Sequence, residues 1–340
     1  MTRLRVSVLQ MCSSNTHAVN IATLRAAAKK AREEDHADML VLPEAAGLME
    51  RDKEKAVPQV TRESACPFVH ACKEVAAEHN LWLQAYMPVL PDGGDEDEDA
   101  RFLNHSLLIN DKGEIVDRYS KSACLRMSHG RQLNDCACMY ECACKDENIL
   151  TFGIIIMRAV SISFSLCMYV YVYESYRSVH LFDVFVDGMP PTGESNRYRP
   201  GLESVIASSP WGNIGLSICY DLRFPHLYRE YAKNKAAILM IPSAFTVKTG
   251  LAHWEVLLRA RAIENGAFVI AAAQVGSHAD GRRTYGHSLV VNPWGEVVLD
   301  LGGDETAQQT IELDLDEVDA ARRQIPSLQN EREYEKRVCA

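Results

Sequence analysis

The sequence has no long basic run. Its 36 Lys and Arg residues are outnumbered by 46 Asp and Glu, for a formal net charge of −10. That balance argues against nucleic acid and anionic membrane surfaces as partners. An apolar leader is also missing. Leu4, Val6 and Val8 already alternate with polar residues, so a strand is expected almost from residue 1. No room precedes it for a signal or transit peptide, and a cytoplasmic address is the expectation. No internal repeat of fixed period occurs. What is present is ordinary for a globular chain: 340 residues, 47% hydrophobic and 24% charged. That length suffices for one large or two modest domains with a sizeable core. Without a leader, the 11 cysteines read as reduced thiols rather than a disulfide framework.

The apolar pattern organises most of the chain. Residues 4–11 read as a strand, and the Ala-rich stretch 17–35 as a helix. Met39–Leu42 is a short buried strand stopped by Pro43-Glu44. A helix over 66–79, a strand over 81–89 and an acidic solvated loop over 92–99 follow. Residues 102–110 and 115–119 form a hairpin around Asp111-Lys112-Gly113. Later come a strand from Trp211 ending at Cys219, a helix over 225–234 and a buried strand over 238–242. A helix over 253–265 and strands over 268–274, 287–292 and 296–300 complete the pattern. Residues 315–337 read as a charged, mostly helical tail. Alternating helices and strands point to an α/β fold with sheets inside and helices outside.

Three residues end short apolar strands and carry useful chemistry: Glu44 in VLPEA, Lys121 in DRYSK and Cys219 in GLSICYDLRFP. The C-terminal ends of strands are where α/β folds hold ligands and reactive groups. A thiol attacks only as its thiolate, and a carboxylate beside it can take the proton. A lysine can hold the oxyanion formed when the thiolate attacks a carbonyl. Each residue has an ordinary structural explanation as well: core filler, a solvated turn acid and an exposed strand-end lysine. No local motif links the three.

Taken together, VLPEA, YSK, ICYDLRFP and YGHSLVVNPWG resemble the nitrilase superfamily of carbon–nitrogen hydrolases. The resemblance runs over nearly the whole chain except residues 122–177. It implies a four-layer α-β-β-α sandwich and a catalytic set of Glu44, Lys121 and Cys219, with Glu194 in GESNRYRPG as a supporting acid. Glu255 falls in another family-like stretch and is given a structural or pocket role. PSAFTVKTGLAHWEVLLRARAIENGAFVIAAAQVGSHADGRRTYGHSLVVNPWG and HLFDVFVDG resemble the branch that hydrolyses deaminated glutathione. The ω-amidase branch, acting on 2-oxoglutaramate, is the alternative, since the catalytic residues are shared. A scaffold that has lost activity through an insertion is a third reading. The implied substrate is a small-molecule amide, with Tyr220, Arg223 and Thr249 assigned to substrate binding. A doubly anionic substrate needs cationic partners; Arg223 is a candidate, and a structural ion pair is its competing explanation. No metal or organic cofactor is required by this chemistry. The resemblance also implies a homodimer or larger homo-oligomer.

A single domain over 1–340 is thus expected, interrupted by an atypical segment at 122–177 and closed by a tail at 315–340. Cys124, Cys136, Cys138, Cys142, Cys144 and Cys167 crowd into that segment, followed by CMYVYVYESY. Joining its flanks gives YSKSVHLFDV, the family's continuous run. A retained intron or gene-model error fits this composition best. A real surface insertion competes with it, and its thiols at 136, 138, 142 and 144 are too compressed for paired CxxC metal knuckles. A membrane span over Ile149–Tyr173 is disfavoured by Arg158.

Overall fold

The computed structural model describes residues 2–90, 101–120, 180–181, 183–184, 192–199, 201 and 203–335. Lys121, the acidic loop 92–99, the segment 122–177 with its cysteines and its Ile149–Tyr173 stretch, and residues 336–340 lie outside the described residues.

The first half builds one six-stranded sheet. β1 (Arg3–Gln10), β2 (Met39–Val41) and β3 (Trp82–Val89) are parallel. α1 (His17–Lys29), extended by a π-helical turn through Glu34, crosses from β1 to β2. After the short α2 (Lys53–Ala56), α3 (Pro67–His79) crosses from β2 to β3. The antiparallel hairpin β4 (Leu103–Ile109) and β5 (Ile115–Ser120) extends one side. A two-stranded ribbon joins β6 (Asp183–Val184) to β7 (Thr192–Gly193). β8 (Val205–Ser209) then opens the second sheet, where β9 (Gly212–Leu216), β10 (Ala236–Met240) and β11 (Phe268–Ala271) run parallel.

The crossovers of the second sheet are α4 (Pro225–Lys233) and α5 (Val247–Asn265). A small ribbon, β12 (Val275–Ser277) and β13 (Arg283–Tyr285), precedes the antiparallel pair β14 (Leu289–Val291) and β15 (Val297–Asp300). β16 (Ala307–Asp314) returns to pair antiparallel with β1, and α6 (Asp316–Gln324) follows it. The sheet orders are β16-β1-β2-β3-β4-β5 and β15-β14-β11-β10-β9-β8. Both show three parallel strands, an antiparallel hairpin on one side and an antiparallel strand on the other.

Strand periodicity explains the layers, because alternate side chains face opposite sides of a sheet. From the first sheet, Leu4, Val6, Val8, Met39, Val41, Tyr86 and Leu108 join the core that holds the second sheet's strands. Their neighbours Leu9, Leu40, Leu42, Leu83, Ala85 and Leu107 face the other way, onto Leu24 of α1 and Phe68, Cys72 and Val75 of α3. On the second sheet, Tyr228 and Tyr231 of α4 and Trp254 and Leu258 of α5 close the outer face. Gly215 on β9 leaves the room that Tyr231 fills; a Cβ there would meet the ring at 2.5 Å. The result is the α-β-β-α sandwich.

Four sequence expectations need correction. The strand expected to end at Cys219 stops at Leu216. The helix expected from His253 starts at Val247, because Thr246 caps it. The strand expected over 268–274 is confined to Phe268–Ala271. The tail expected to be mostly helical is helical only over Asp316–Gln324. Among the described residues, no helix is long and apolar enough to cross a membrane.

Candidate active site

Parallel strands deliver their following residues to one end of a sheet. Pro43 has no N–H to extend the β2 ladder, so the chain leaves the sheet there and turns. Glu44 sits on that turn, only 6% exposed. Asn104 on β4 donates its Nδ2–H to Glu44 Oε1 at 3.1 Å. Gln274, fully buried, clamps the same turn to the chain leaving β1. Its Oε1 accepts the Ser13 N–H at 2.9 Å, and its Nε2 donates to Ser13 Oγ at 2.6 Å and to the Glu44 carbonyl at 2.9 Å. Ala45 follows Glu44 in the left-handed region, at φ +59°.

Cys219 stands three residues beyond the end of β9. It begins a 3-10 turn, Cys219–Arg223, and is itself left-handed at φ +50°. A non-glycine residue held there costs about 1–3 kcal/mol. Such a sharp strand-to-helix turn lifts a nucleophile clear of its sheet. The Cys219 N–H is tied to the Pro242 carbonyl at 2.9 Å, so the turn is anchored to the chain leaving β10. The next residue, Ser243, accepts the Gln274 N–H at 2.9 Å, and Gln274 in turn holds Glu44. Three hydrogen bonds, running through Pro242-Ser243 and Gln274, thus join the Cys219 and Glu44 turns.

A cluster of buried tyrosines lies within electrostatic reach of these turns. Burial pushes Tyr86, Tyr119, Tyr228 and Tyr231 well above the usual phenol range, and the Asp221 carboxylate adds to the effect at each. Tyr86 also senses Glu44, and Tyr228 senses Cys219. Tyr228 Oη pairs with Ser217 Oγ at 2.9 Å. Asp221 is fully enclosed and accepts hydrogen bonds from Tyr119 Oη–H at 2.7 Å and from the Ile218 N–H at 2.9 Å.

The other sequence-assigned residues scatter around this centre. Glu194 opens a 3-10 turn, Glu194–Asn196, and is partly exposed. That turn docks against Phe102, whose N–H bonds the Arg197 carbonyl and whose carbonyl accepts the Arg199 N–H, both at 2.7 Å. Phe102 lies two residues before Asn104, so Glu194 and the donor to Glu44 share one end of β4. Arg223 makes no ion pair among the described residues. Its Nη1 donates to His253 Nδ1 at 3.3 Å, and its guanidinium lies over the rings of Tyr220 and Phe245 at 5.8 and 5.4 Å. Tyr220 packs edge-on against Phe224. Thr249 sits in the first turn of α5, its hydroxyl 2.9 Å from that of Thr246. Glu255 is on the exposed side of α5, bonded to Arg259. Lys121 lies outside the described residues, one position beyond the end of β5.

Sequence reading overlooked Asn104, Gln274, Ser13, Tyr119 and Asp221. Only Asp221 carried a local signal, as an acid inside ICYDLRFP two residues from the thiol.

A sequence profile described as carbon–nitrogen hydrolase matches residues 5–137 and 165–323. The chain is 48% identical over 155 residues to deaminated glutathione amidase of Dictyostelium discoideum, covering 44% of this chain and 52% of that protein. It is 31% identical over 332 residues to the nitrilase and fragile histidine triad fusion protein NitFhit of Caenorhabditis elegans, covering 96% and 60%. The crystal structure of C. elegans NitFhit superposes with a TM-score of 0.72 at 30% identity, covering 98% of this chain and 66% of that one. Nit3 of Saccharomyces cerevisiae, a member of branch 10 of the nitrilase superfamily, shares the fold at 21% identity, with a TM-score of 0.68 over 96% and 95% of the two chains. The chain spans about half the length of the curated amidases it matches.

Proposed function

The chain belongs to the carbon–nitrogen hydrolase family, and on that premise we propose that it is a thiol-dependent amidase acting on a small anionic amide. The observation that carries this reading is the tethering of the Cys219 and Glu44 turns through Pro242, Ser243 and Gln274. In the proposed reaction Glu44 takes the Cys219 proton and the thiolate attacks the amide carbon. The Lys121 ammonium and backbone N–H groups after Cys219 stabilise the oxyanion. Glu44 then protonates the leaving amine, and a thioester remains on Cys219. A water molecule deprotonated by Glu44 hydrolyses that thioester, releasing the acid and restoring the thiol. Glu194 supports the acid–base step from the same end of β4 that orients Glu44.

The substrate we propose is deaminated glutathione, cleaved to 2-oxoglutarate and cysteinylglycine. The name of the D. discoideum relative supports that choice. So does Arg223: four residues after the thiol, its cation rests on aromatic faces and is not matched by a carboxylate among the described residues. Such a guanidinium suits a carboxylate ligand. Tyr220 and Thr249 line the binding side. The same reading has the chain self-associate and work in the cytoplasm without a cofactor. Exposed Leu251, Val256 and Ile263 on α5, with Trp294 nearby in sequence to β14, support the self-association.

The test compares kcat/KM for deaminated glutathione and for 2-oxoglutaramate. Deaminated glutathione is expected to be preferred, and Cys219→Ala is expected to abolish turnover of both. A tenfold preference for 2-oxoglutaramate would move the assignment to ω-amidase. Undiminished turnover by Cys219→Ala would reject the nucleophile.

A further inference from the structure

Asp221 is a fully enclosed carboxylate two residues beyond the proposed nucleophile. Its three hydrogen-bond donors come from three separate places in the chain. Oδ2 takes the N–H of Ile218, immediately before Cys219, at 2.9 Å. It also takes the hydroxyl of Tyr119, near the end of β5, at 2.7 Å. Oδ1 takes the N–H of His180, the first described residue after that strand, at 3.1 Å, with His180 Nδ1 at 3.8 Å. The His180 ring lies stacked on Phe224, which closes the same 3-10 turn. No lysine or arginine lies within 4.0 Å of this carboxylate among the described residues. Burying an acid without a cation is strongly unfavourable unless directed donors replace its water. Here the donors do so, and each fixes a different piece of backbone.

We infer that Asp221 is a positioning residue that fastens the left-handed turn of Cys219 to Tyr119 and His180, the described residues that flank 121–179 in sequence. The inference rests on Cys219 being the nucleophile. The arrangement has a definite cost for the chemistry. The same carboxylate opposes ionisation of the surrounding tyrosines. Removing its charge is expected to ease ionisation of a neighbouring thiol, whereas removing its anchoring misplaces that thiol, so the two effects separate in a variant. An asparagine has the same shape, but its Nδ2 cannot accept. Placed at either oxygen position, it opposes a backbone N–H, of Ile218 or of His180.

In the full-length chain, Asp221→Asn is expected to lower kcat about 30-fold or more while KM stays within about threefold, the signature of misplacement by a fraction of an ångström to about 1 Å. The rate of Cys219 alkylation by iodoacetamide, followed by mass of the Cys219 peptide against pH, is expected to shift to lower pH in the same variant. Misplacement of the thiol alone would not produce that shift. Tyr119→Phe removes one donor at nearly constant volume and is expected to lower kcat about three- to tenfold; it decides the matter if Asp221→Asn does not fold. Unchanged kcat in folded Asp221→Asn, or in Tyr119→Phe, would overturn the inference, as would an alkylation profile that does not move. Cys219→Ala separates the two layers of the argument. An inactive Cys219→Ala beside an unimpaired Asp221→Asn sinks the positioning role alone, whereas an active Cys219→Ala sinks the nucleophile on which it rests.

Discussion

His278 shows how single side chains brace the site and what that bracing makes pH-dependent. Its Nδ1–H donates to the Ser13 carbonyl at 3.2 Å, and its Nε2 lies 2.7 Å from the Thr284 hydroxyl, which can donate to it when the imidazole is neutral. Burial holds it below its ordinary value; Arg282 adds to that shift, while the Ser13 bond and Asp280 oppose it. The unfolded chain takes up the proton near pH 6.5 while the folded one resists it. This contribution to stability is therefore present above about pH 6.5 and is lost as pH falls below it. We predict that His278→Asn flattens the dependence of the urea midpoint on pH between about 5 and 6.5. An unchanged slope would count against it. At this scale the sequence was legible only in part. Glu44 and Cys219 stand out because a charged or nucleophilic residue directly after an apolar strand is conspicuous. Asn104, Gln274 and Ser13 do not, because a polar residue inside or beside a strand normally faces solvent, and nothing local says that its amide closes a turn far away in sequence.

Among the elements, α5 departs furthest from its reading. The sequence reading places its start at His253, and the observed helix begins six residues earlier at Val247. In the fold, Thr246 Oγ1 accepts the Thr249 N–H at 3.4 Å as an N-cap. Gly250 is retained because the Tyr285 ring fills the space a Cβ would need. Neither contact has a local signature. β16 was missed for a related reason: its burial is intermittent, and it is a strand because β1 offers it a full antiparallel register from Arg3 to Gln10. The outward side of α5 exposes Leu251 at 72% and Val256 at 68%. If the chain self-associates as proposed, these exposed aliphatics are the surface that association would cover. The pair Leu251→Asp and Val256→Asp is predicted to convert a self-associated species to monomer in light scattering while changing the melting temperature by no more than about 2 °C. An unaltered mass would remove α5 from the interface.

For the whole molecule, the boundary problem at residues 122–177 becomes an energetic one. Tyr119 and His180 meet on the two oxygens of one carboxylate, so the described residues on either side of 121–179 are adjacent. Shortening the connection by about four doublings of length recovers about 2 kcal/mol of closure entropy. The chain lacking 122–177 is therefore predicted to unfold at higher urea than the 340-residue chain and to be at least as active. A lower midpoint or a loss of turnover would show the segment to be integral. Abundant tryptic peptides from within it in endogenous protein would point the same way. The layered α/β architecture was legible from alternating periodicities. The twofold likeness of the sheets was not, since it has no fixed period in sequence and emerges only from strand order.

That likeness assigns the two reagents of the proposed reaction to different halves. Val8 pairs with Val41 and Leu216 with Met240, and three residues beyond these partners stand Met11 and Glu44 in one half, Cys219 and Ser243 in the other. Each half thus holds one reagent and an inert residue in the place of its counterpart. During synthesis the first half emerges with Glu44 before Cys219 has been made. The thiol appears later and remains an ordinary, largely protonated cysteine until the sheets dock. On the proposed mechanism, assembly of the sandwich is then also the arming step, because Cys219 and Glu44 meet only when the sheets dock.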